Sequence, residues 1–172
     1  MIMAAALQLV FALLVCPIQA ADNPINLAGY GKTVWGMSES EVLKAESARA
    51  EKLDKPIEGK TLVATITIRE IEIDTIKFRV LFSFGHKTRK LAAVNLISVS
   101  KSFATFPIIE KLLTEKYGPP TYKEEAQDAR PTTLTTSWKL PRTTIELYYS
   151  TLSGLHVIYR PTESSADRSK NL

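Results

Sequence analysis

The sequence predicts an α+β fold of two α-β-β-β halves, an antiparallel sheet with its helices packed on one face. Three observations predict it. A helix-start signature lies at Ser38 to Val42, strict two-residue alternation runs through Thr61 to Ser100, and the same order of helix then alternating runs returns from Pro107 to Arg160. The whole is expected to be one domain, residues 33–160, after a linker over 21–32. The segment 161–172 has almost no apolar side chain and is expected to be a disordered tail.

The chain opens MIMAAALQLVFALLVCPIQA, with no charged side chain, an apolar run from Ala4 to Val15 broken only by Gln8, and Ile18 and Ala20 at the minus-three and minus-one positions. Residues 1–20 therefore read as a secretory signal peptide cleaved after Ala20. The run is shorter than the roughly 20 apolar residues that span a bilayer, so no stable membrane anchor is expected after cleavage. Cys16 stands where a lipoprotein signal would end, but Val15 before it is too large for that processing.

Ser38 and Glu41 form a capping box, Met37 and Val42 a hydrophobic staple, and together they predict a helix from Glu39 to about Ala50. Ile66 and Ile68 begin a strand. Parity breaks at Arg69 and Glu70, which predicts a β-bulge, before Ile71 and Ile73 resume. Asp74-Thr75 makes a tight turn into a second strand, whose Ile76, Phe78, Val80, Phe82 and Phe84 alternate without fault. GHKTRK from Gly85 to Lys90 turns into a third, Leu91 to Ser100. Pro107 in a first turn, a stripe of Ile108, Leu112, Leu113 and Tyr117, and the stop Gly118-Pro119-Pro120 predict the second helix. Thr135 to Leu140, Thr143 to Ser150 and Leu155 to Arg160 read as three more strands.

Cys16 is the single cysteine, so the mature chain forms no disulfide and depends on its core. About 150 residues suffice for one such core. The 22 basic and 18 acidic side chains are interspersed and leave a net charge of +4, which shows neither a nucleic-acid stripe nor a polybasic anchor.

The sequence WGMSESEV at the first helix, FRVLFSF and KLAAVNL in the first half of the sheet, and LLTEKYGPP at the end of the second helix resemble small uncharacterised exported proteins of Gram-negative bacteria. More distantly, the architecture is similar to the repeat folds of the β-lactamase inhibitor protein and of the small lipoprotein of the outer-membrane β-barrel assembly machine. That resemblance implies a binding role by analogy of topology.

No constellation carries a recognisable catalytic chemistry. Gly31-Lys32-Thr33 ends like a phosphate-binding loop, but Asn26 stands where its first glycine belongs and no strand is expected before it. Ser98-Val99-Ser100-Lys101 matches S-x-x-K, yet it falls at a strand end and lacks the companion motifs. His86 and His156 are the only histidines, isolated from each other and from any cysteine, so no metal site and no cofactor are expected. Trp35 and Trp138 read as core side chains.

The inventory points to an exported, periplasmic or secreted binding or adaptor protein, non-enzymatic, with an envelope protein as partner. The rival reading is a small periplasmic hydrolase with a site assembled across the sheet. If Phe78, Val80, Phe82, Leu147 and Tyr149 face the helices, alternation sends Lys77, Arg79, Leu81 and Tyr148 to the other side, joined by His156 and Ile158. These six residues form the expected partner-binding face.

Overall fold

The computed structural model describes residues 26–126 and 132–163. The expected signal peptide, residues 1–20, and the tail beyond Glu163 lie outside the described residues.

A small hairpin comes first, β1 (Gly29–Tyr30) and β2 (Thr33–Val34), turned at Gly31, whose φ of +57° is readily reached only by glycine. Part of the expected linker thus belongs to the fold. Helix α1 (Glu39–Ala45) follows, with both arms of the Ser38–Glu41 capping box formed. It ends five residues earlier than the sequence predicts. Glu46 caps it and turns inward, its carboxylate accepting from the Lys32 amide and the Arg49 guanidinium at 2.8 Å each. A buried carboxylate held by two donors is a stable stop.

Four strands then run as a meander, β3 (Glu51–Glu58), β4 (Leu62–Ile73), β5 (Ile76–Gly85) and β6 (Leu91–Ser98). After helix α2 (Thr105–Tyr117) come four more, β7 (Tyr122–Ala126), β8 (Thr133–Lys139), β9 (Thr143–Ser150) and β10 (Gly154–Pro161). Each helix is therefore followed by four strands, not three, the additional ones being β3 and β7. All eight form one antiparallel sheet in the order β3-β4-β5-β6-β10-β9-β8-β7. The meanders join at β6 and β10, and the additional strands are the two edges. Pro161 still pairs with Thr143, and the Thr162 hydroxyl donates to the Leu140 carbonyl, so order extends past residue 160.

The bulge expected at Arg69 and Glu70 is present between Ile68 and Ile71. The turn at Asp74-Thr75 holds both residues at positive φ, +46° and +66°, the mirror-image geometry that suits a two-residue hairpin. On α2 the buried stripe is Phe106, Ile109 and Leu113, while Ile108 is exposed. Of the expected stripe, Leu113 is buried and Leu112 and Tyr117 pack against the core, so only Ile108 falls outside it. Gly118 ends it as expected, and its carbonyl accepts from the Trp138 indole at 2.9 Å.

One hydrophobic cluster joins both helices to a single face of the sheet. It contains Val42 from α1, Phe106, Ile109 and Leu113 from α2, and Phe78, Val80, Phe82, Val94, Leu96, Ile145, Leu147 and Val157 from the central strands. Trp138 is buried within it. Trp35 packs against its margin and donates to the Thr143 hydroxyl at 2.9 Å.

Candidate functional site

Both helices lie on the core face of the sheet, so neither covers the other face. Alternation puts Lys77, Arg79 and Leu81 of β5 there, with Tyr148 of β9 and His156 and Ile158 of β10. The strand order brings five of the six together. Arg79 pairs across the sheet with Ile97, Ile97 with His156, and His156 with Tyr148, giving one continuous row. The next row reads Leu81, Asn95, Ile158, Glu146. Lys77 is set apart at the bulge, where its ammonium lies 2.9 Å from Glu70.

Asn95 and Ile97 were not among the residues expected from the sequence. The signal was present, since Val94 and Leu96 point to the helices and their neighbours must point away. What was missing was that β6 lies between β5 and β10, which no local pattern encodes. Leu81 differs in role from the expectation. It is only 6% exposed, so it forms the floor of the patch and offers a partner little surface.

The chemistry of the rows is uneven. Arg160 and Glu146 are ion-paired, as are Arg69 and Glu51 at the β3–β4 edge. Arg79 is exposed and makes no ion pair among the described residues. Its Nε donates to the Thr67 hydroxyl at 3.3 Å, and Thr67 in turn donates to the Val80 carbonyl at 2.8 Å. The guanidinium is thus anchored at one nitrogen with its terminal donors unclaimed by any carboxylate.

His156 Nε2 donates to the Ser153 carbonyl at 3.3 Å, which leaves Nδ1 to accept from the Asn95 amide nitrogen at 3.3 Å. Burial pushes the imidazole pKa down, against the opposing pull of the Ser153 bond, so the ring is neutral at pH 7. Its centroid lies 6.1 Å from that of Tyr148. The Asn95 Oδ1 is buried and unpartnered.

No group of three or more His, Cys, Asp or Glu side chains that could hold a metal occurs among the described residues. His86 donates to the Gly59 carbonyl at 3.0 Å in its hairpin. The S-x-x-K residues do not meet, since the Lys101 ammonium donates to the Leu152 carbonyl at 3.4 Å. No described helix is long and apolar enough to cross a membrane.

No protein-family model and no curated protein sequence matches the chain. Among solved structures, a DUF4309 family protein, YjgB from Bacillus subtilis, matches at 11% identity over 81% of this chain and 88% of its own, with a TM-score of 0.45. The resemblance to exported proteins of Gram-negative bacteria and to inhibitor-type repeat folds gains no support from these matches.

Proposed function

We propose that the protein is a non-enzymatic binding protein whose helix-free sheet face docks an envelope protein that presents a carboxylate. The observation that carries this reading is Arg79, an exposed guanidinium without an ion-pair partner among the described residues, in a row whose other members are Ile97, His156 and Tyr148. Arginine and tyrosine beside aliphatic groups, with a neutral imidazole, is the composition of an interface centre. The ion pairs Arg160–Glu146 and Lys77–Glu70 form its polar surround. The export signal over residues 1–20 and the absence of cysteine after Cys16 support a place in the periplasm or outside the cell.

The test is capture from envelope extract with the tagged full chain, comparing Arg79→Glu and Tyr148→Ala with the unaltered protein. Both variants are expected to keep the circular dichroism spectrum and lose the same captured species, with Arg79→Glu weakening capture by at least about tenfold. Capture that survives both substitutions in folded protein would show that the partner docks elsewhere.

A further inference from the structure

On the helix side of the sheet, away from the docking face, a cavity of about 320 Å3 opens between the β1–β2 hairpin, the segment after α1, the last turn of α2 and strand β10. Its walls are tyrosines drawn from three separate parts of the chain, Tyr30, Tyr117 and Tyr159. The rings of Tyr30 and Tyr159 are 5.2 Å apart and tilted by 56°, and Tyr30 also meets Phe82 edge-on at 6.3 Å. These aromatic walls are fixed by the core.

The rim carries positive charge. Lys116 places its ammonium 5.2 Å above the Tyr117 ring and pairs with no carboxylate among the described residues. Arg49 spends its Nε on Glu46, while its Nη2 reaches over Gly31 beside the Glu46 carboxylate; a Cβ at position 31 would lie 3.1 Å from Nη2 and 2.5 Å from Glu46 Oε1. Among the described residues no acidic side chain lines the cavity, and Glu46 beside it already accepts from the Lys32 amide and from Arg49. Burial raises the Tyr30 phenol to about 12, with Arg49 pulling the other way, so it is a neutral donor at pH 7.

We propose that this cavity binds a small aromatic carboxylate, its ring against the tyrosines and its carboxylate toward Lys116 and Arg49. The pieces select against the alternatives. A cation would meet Lys116 and the Arg49–Glu46 pair, a net positive charge at the mouth, and a bare inorganic anion would leave the aromatic walls uncovered. A volume of about 320 Å3 lies at the low end for ligand sites, which favours a single ring over a polymer.

Benzoate is the probe, titrated into the full chain by calorimetry, with benzyl alcohol and inorganic phosphate as comparisons. Saturable benzoate binding with Kd of about 1 mM or tighter is expected, at least about tenfold stronger than either comparison. Lys116→Gln should weaken benzoate about tenfold and Lys116→Arg should restore most of it, while Lys111→Gln, on the exposed side of the same helix, should change nothing. The proposal is overturned by no saturable heat at about 10 mM benzoate, by phosphate binding as tightly as benzoate, or by Lys116→Gln binding like the unaltered protein. The comparison of the three probes uses unaltered protein, so it decides the matter even if a variant fails to fold.

Discussion

On strand β5, Phe78, Val80 and Phe82 face the helices and are fully buried, while Lys77 and Arg79, which alternate with them on the same strand, are exposed. The contrast continues across the sheet. Leu147 and Val157 face the core, and Tyr148, His156 and Ile158 beside them are half-buried on the open side. One backbone thus carries two surfaces with separate duties. The helix side supplies most of the apolar burial that holds the fold, and the open side, where Leu81 is buried, carries polar and aromatic groups in rows.

The hardest way to break this division is to remove core volume. Phe82→Ala deletes a fully buried ring that touches Tyr30 and should cost about 3–5 kcal/mol. Tyr148→Ala, on the open face one strand beyond β10, should cost about 1 kcal/mol or less. Urea midpoints at constant m-value measure both. Equal losses would mean that the open face is part of the core and not a surface at all.

A second contrast is electrostatic. Glu46 on the helix side has a side chain only 1% exposed. Desolvation raises its pKa, but the bonds from Arg49 and from the Lys32 amide outweigh it and hold the carboxyl below the usual range. A depressed folded value means that the stabilisation is complete above the unfolded value of about 4.3 and is lost as pH falls through the lower folded one. Glu46→Gln should therefore lower stability at neutral pH by about 1.5–3 kcal/mol and flatten the acid limb of the stability profile. An unchanged acid limb would place that limb on the other carboxyls held low, Glu110, where Lys123 and the Thr136 hydroxyl together outweigh its desolvation, and Glu41, held by the Ser38 amide and hydroxyl.

The two faces were also unequally legible in the sequence. The central strands were readable because Ile76 to Phe84 keep one side wholly apolar, which gave the parity of Arg79, and Leu147 and Tyr149 gave that of Tyr148. The edge strands β3 and β7 were not readable. EKLDKPIE and YKEEA carry charges on both sides, with Pro56 in the first, because an edge must resist pairing with other chains. The β1–β2 hairpin has two residues per strand, too few for any period, and is held by contacts such as the Thr143 hydroxyl to the Leu27 carbonyl. Strand order likewise leaves no local trace, so the rows of the open face, and with them Asn95 and Ile97, emerge only in the fold.

The smallest expected effect sharpens the comparison most, because it belongs to the open face alone. His156 is neutral with Nε2 donating to the Ser153 carbonyl and Nδ1 accepting from Asn95. Protonation gives Nδ1 a hydrogen and sets it against the donating amide of Asn95. The amide must then turn over to present Oδ1, the oxygen that has no partner in the neutral state. The turnover recovers one hydrogen bond, but the half-buried ring must still carry a charge, and it is burial that pushes its pKa down. The folded value lies below the unfolded one of about 6.5, so His156 supports the fold fully above that pH and loses its contribution as pH falls through the folded value. The stability difference between about pH 7.5 and pH 5.5 should shrink in His156→Gln. The Asn95 side-chain amide resonances should shift over the same pH range in the unaltered protein. If His156→Gln keeps the full difference while those resonances stay still, the open face does not titrate, and its polar rows are rigid across the physiological range.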